Sequence, residues 1–77
     1  MTEAQAISHL NKAIRAAKKK HPEFPAEIEA GFAIMCEEML ELCKAINDQE
    51  AVERVMDEAL DVAVTTIRFI EERIKEV

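Results

Sequence analysis

A chain of 77 residues makes one domain at the small end of the range, where only about 60% of the unfolded surface is buried on folding, so extra burial must come from disulfides, metal or association. With 16 acidic residues against 10 Lys and Arg, a formal charge of −6 and no Trp or Tyr, the composition disfavours a nucleic-acid partner, because phosphate backbones attract basic faces. There is no basic apolar leader with a cleavage site, and the longest apolar run falls far short of the ~18 residues that a membrane span requires, so the expectation is a cytoplasmic protein with no membrane partner.

The first predicted helix runs from about residue 3 to residue 20. Thr2 and Gln5 form a capping-box pattern, and Ala6, Ile7, Leu10, Ala13, Ile14 and Ala17 recur at helical spacing. Lys18, Lys19 and Lys20 close it, and the run reads as a solvated helix end favoured by the macrodipole. His9, with no second His or Cys at ligand spacing, reads as a surface or packing residue. The segment His21-Pro22-Glu23-Phe24-Pro25 stops the helix and leaves a short rigid turn, with Pro25 near the first position of the next one. In this turn Phe24 reads as a core plug and, with His21, as a candidate for base stacking.

Helix two is predicted to reach about Ile46, with Glu27 and Glu29 complementing its N-terminal dipole. At about 100° per residue, Glu37, Glu38, Glu41 and Lys44 fall in one narrow stripe, while Phe32, Ile34, Met35, Met39, Leu40, Leu42, Cys43 and Ile46 cover the rest of the cylinder. A helix apolar nearly all round is expected to be buried. Cys36 and Cys43 lie roughly 10 Å apart by helical rise, beyond disulfide reach, and read as reduced core thiols. Asn47 and Asp48 break the helix. Helix three is predicted from about Gln49 to Lys75, with Glu50, Arg54, Asp57, Glu58, Asp61, Thr65, Arg68 and Glu72 forming its polar stripe. The short connection makes helices two and three an antiparallel pair. The fold class is all-α, a single domain over residues 1–77.

Residues i and i+3 are neighbours on one face of a helix, so Glu38 with Glu41, and Glu58 with Asp61, form two carboxylate pairs. Brought opposite each other by the hairpin, four carboxylates would repel strongly unless a hard divalent cation lay among them. The pattern Glu37-Glu38-x-x-Glu41, followed after residues 42–57 by Glu58-x-x-Asp61, resembles the EExxE…ExxD signature of the MazG-like all-α nucleoside triphosphate pyrophosphohydrolases. Glu41-Leu-Cys-Lys-Ala-Ile46 and Asp57-Glu-Ala-Leu-Asp-Val62 are similar to that family's ligand-bearing helices, and the resemblance covers roughly residues 30 to 70.

The resemblance implies an enzyme that splits a nucleoside triphosphate into the monophosphate and pyrophosphate. It implies Mg²⁺ or Mn²⁺ at Glu38, Glu41, Glu58 and Asp61. Glu37 is the candidate to hold a further metal or to accept a proton from the attacking water, and Lys44, Arg54 and Arg68 are candidate substrate-binding cations, each with a salt-bridge role as its alternative. The fourth helix and basic C-terminal segment of many members are not matched here. A second subunit is therefore expected to complete the bundle, giving a homo-dimer or tetramer with sites near the interface. Competing expectations are a phosphoribosyl-ATP pyrophosphohydrolase-like enzyme and a non-catalytic helical oligomer or regulatory subunit. A ferritin-like di-iron site is disfavoured because neither Glu38 nor Glu58 has a His at i+3. A Nudix hydrolase is disfavoured by the single glycine and the lack of strand pattern.

Overall fold

The computed structural model describes residues 1–75 and contains three helices, α1 (Glu3–Lys20), α2 (Ile28–Asn47) and α3 (Val52–Ile74), with no strand among the described residues. α1 begins on the capping box expected from sequence. The Thr2 hydroxyl accepts from the Gln5 N–H at 3.2 Å, and the Gln5 side-chain oxygen accepts from the Thr2 N–H at 2.7 Å. It ends at Lys20 because Pro22 disfavours helical backbone at His21, which sits at φ −132° and ψ 83°.

Two boundaries differ from expectation. α2 starts at Ile28 with Glu27 as its N-cap, so Pro25 lies outside the helix, and the Glu27 side chain makes no capping bond. The guanidinium of Arg73 donates to the Ala26 carbonyl, a tertiary contact that holds this segment extended. α3 starts at Val52, about one turn later than expected. Gln49 takes a left-handed conformation, φ 54°, and its N–H bonds to the Ile46 carbonyl at 3.1 Å while the Glu50 N–H bonds to that of Ala45 at 3.1 Å. A left-handed residue closing a helix is usually glycine or asparagine. Here it is glutamine.

α2 and α3 pair as an antiparallel hairpin, and α1 packs on α3, its backbone making no close approach to that of α2. The hairpin packs closely at Gly31, the chain's single glycine, where an added Cβ would lie 3.0 Å from the Phe69 ring and 3.1 Å from that of Phe24. Among the described residues the only buried apolar side chains are Ala45 and Val64. The expectation that α2 is buried does not hold within one chain: Phe32 is 58% exposed and Leu40 68%, and Ile28, Met39 and Ile46 are exposed too. Cys36 is half-buried, but Cys43 is exposed, contrary to its reading as a core thiol, because it lies on the side of α2 turned from α3. No helix is long and apolar enough to cross a membrane among the described residues.

Candidate metal centre and groove

The hairpin register decides which acids meet. Glu38, about two turns beyond Gly31 along α2, comes opposite Glu58 and Asp61, the latter about two turns before Phe69 on α3. One oxygen from each of Glu38, Glu58 and Asp61 lies within 4.8 Å of the other two. Magnesium binds oxygen at about 2.0–2.1 Å, so adjacent ligand oxygens on an octahedral ion stand about 3 Å apart, and these three would have to draw closer to share one ion. Glu41 is exposed and falls outside this trio, although among the surrounding charges it is the one that most raises the Glu38 pKa. The four-carboxylate set expected from spacing is thus a close set of three with Glu41 one turn away.

Glu58 is the central member. Its side chain is 2% exposed, one oxygen is met by the Arg54 guanidinium, and Oε2 has no hydrogen-bond partner among the described residues. A buried carboxylate oxygen left unpaired is costly, and a hard cation satisfies it. The Glu38 carboxyl is held above its ordinary pKa by burial first and then by the charges of Glu41, Asp61, Glu58 and Glu37. Asp61 is raised by burial and by Glu58 and Asp57, against the opposing pull of Arg54 and Lys20. These are the properties of an all-oxygen donor set that fits a hard divalent ion.

Glu38 and Asp61 line a groove of about 740 Å³. Its floor is α3, through Asp61, Val64, Thr65 and Arg68; one wall is α2, through Ile34, Glu37 and Glu38; the other is α1, through Ala13, Ala16, Ala17 and Lys20. The segment 21–25 closes one end with His21, Glu23, Phe24 and Pro25. The groove stays open because α1 presents alanines there, leaving room that larger side chains would fill.

The other candidates fare unequally. Glu37 is exposed on the groove wall beside Glu38. Arg54 spans Glu50, at 3.7 Å, and Glu58. Arg68 is buried; its Nη2 donates to the His21 carbonyl at 2.7 Å and its guanidinium lies 5.3 Å from the Phe24 ring centroid, so it anchors the segment that closes the groove. Lys44 is exposed and does not line the groove. His9 is exposed and borders a small apolar hollow with Met56 and Leu60. Sequence reasoning missed Lys20 as a site residue. The signal was its place on the helical face of Ala13, Ala16 and Ala17, but the use of that face depends on where α1 docks. No protein-family model, curated protein or solved structure matches the chain.

Proposed function

We propose that the chain is a Mg²⁺-dependent nucleoside triphosphate pyrophosphohydrolase, releasing the monophosphate and pyrophosphate. The observation that carries this reading is the meeting of Glu38, Glu58 and Asp61 within 4.8 Å around a buried, unpartnered Glu58 oxygen, at the edge of a groove with room for a nucleotide. These three residues would hold the metal, with Glu41 as the adjacent acid, and Mn²⁺ is the alternative ion. An ion held there would neutralise phosphate charge and make water a better nucleophile. Glu37, beside the ligands and facing the groove, accepts the proton as water attacks the α-phosphorus and pyrophosphate leaves in line. Little covalent chemistry falls to the protein, so positioning and charge carry the rate.

A second reading is favoured by the Arg54–Glu58 ion pair, in which a guanidinium already meets the buried carboxylate. On that reading the acids are a structural salt-bridge network in a non-catalytic helical oligomer. The deciding experiment is a panel of standard and modified nucleoside triphosphates and phosphoribosyl-ATP, with Mg²⁺ and with chelator, scored for monophosphate and pyrophosphate. Turnover lost on chelation, and lowered about 10²- to 10⁴-fold by Glu37→Gln, supports the enzyme. No turnover across the panel, together with no metal-dependent rise in thermal stability, supports the ion-pair network.

A further inference from the structure

α1 ends in three consecutive lysines, and the fold uses them differently. Lys18 pairs with Glu71 of α3 at 2.8 Å. Lys20, about 200° further round the helix, lines the groove opposite Glu38 and Asp61. Lys20 shares the helical face of Ala13, Ala16 and Ala17, and all four residues line the groove. Its charge is felt at Asp61.

The cations nearest to Lys20's site, one in the groove and one at the acid cluster, are engaged. Arg68 is held by the His21 carbonyl and the Phe24 ring, and Arg54, at the acid cluster, by Glu50 and Glu58. Among the described residues Lys20 has no hydrogen bond and no carboxylate within ion-pair distance. It is therefore the groove cation whose donors remain available. We infer that Lys20 is a phosphate-binding residue, its ammonium donating to non-bridging oxygens of a polyphosphate whose metal is held by Glu38, Glu58 and Asp61 across the groove. This assignment rests on the metal-site reading above. It also gives Lys20 opposite effects on the two ligands: beside Asp61 it opposes an incoming cation, and beside a bound polyphosphate it attracts the anion.

The test is calorimetric titration of the full chain with Mn²⁺ alone, and with pyrophosphate at saturating Mn²⁺, for the parent, Lys20→Met, Lys20→Arg and Lys19→Met. Lys20 is exposed at a helix end, so its variants are expected to fold, and circular dichroism verifies it. Lys20→Met is expected to weaken pyrophosphate binding about tenfold or more while Mn²⁺ binds at least as tightly. Lys20→Arg is expected to recover affinity to within about threefold, since charge and donors return, and Lys19→Met to behave as the parent. If the parent takes up no Mn²⁺, the metal-site reading falls and the Lys20 assignment falls with it. If the parent binds both ligands and Lys20→Met binds pyrophosphate equally well, or Lys19→Met loses as much, the Lys20 assignment alone is overturned.

Discussion

Glu38 and Asp61 are both held above the ordinary carboxylate pKa, in each case by burial first and then by neighbouring acids, and this fixes the sign of a pH effect. Between the unfolded and the raised folded pKa, the native state binds more protons than the unfolded chain. The stability contributed by these two groups is therefore present at acid pH and is lost as pH rises through that window. Without metal, Asp61→Asn is expected to be at least as stable as the parent at neutral pH and to show a flatter pH dependence. With Mn²⁺ the parent is expected to gain stability, since a ligand of the native state alone stabilises by mass action, and the variant to gain little. Urea titrations in chelator and in Mn²⁺ across this range measure both. An Asp61→Asn protein that is less stable than the parent in chelator would show that the carboxylate supports the fold.

At the scale of elements, Gly31 sets the hairpin. A Cβ there would stand 3.0 to 3.1 Å from two ring edges, and both rings lie beneath guanidiniums, Arg68 over Phe24 and Arg73 over Phe69 at 5.0 Å. Alanine is the better helix former by about 1 kcal/mol, but overpacking costs typically 1–3 kcal/mol. Gly31→Ala is therefore expected to lose about 1 kcal/mol net, read from the urea midpoint; a gain would mean that the rings give way freely. The contrast between what was legible in the sequence and what was not follows the same division. The α1 capping box, the helical stripes and the pairing of Glu58 with Asp61 on one face depend on neighbours a few residues apart. The start of α2 depends on Arg73 reaching Ala26, that of α3 on a left-handed Gln49, the exclusion of Glu41 on interhelical register, and the role of Lys20 on the docking of α1. These are long-range or non-propensity effects, and no local periodicity encodes them.

For the whole molecule, surface area is the telling quantity. The chain exposes 5740 Å², whereas a compact monomer of 8.7 kDa is expected to expose about 4700 Å². Its radius of gyration is 13.1 Å against about 11.5 Å for a typical domain of this length. The excess of about 1,000 Å² matches what one partner buries in a standard interface, about 800 Å². Phe32, Leu40 and Ile46, each more than half exposed on α2, supply its apolar part. We therefore expect a homo-dimer or tetramer that covers this side of α2, with Cys43 shielded from thiol reagents in the assembly. Sedimentation equilibrium of the dilute protein checks it, and a stable, active 8.7 kDa species would refute the assembly.

The one-sided attachment of α1 has a further effect. Because α1 packs on α3 and its backbone does not approach that of α2, the two walls of the groove are joined, among the described residues, through the floor and the segment 21–27. α1 has no fully buried residue, and its detachment would carry Lys20 away while leaving the three acids in register on the hairpin. A ligand spanning the acids and Lys20 would then act as the missing tether between walls. Its residence time would be governed by how often α1 lifts, and release of product would need no rearrangement of the hairpin.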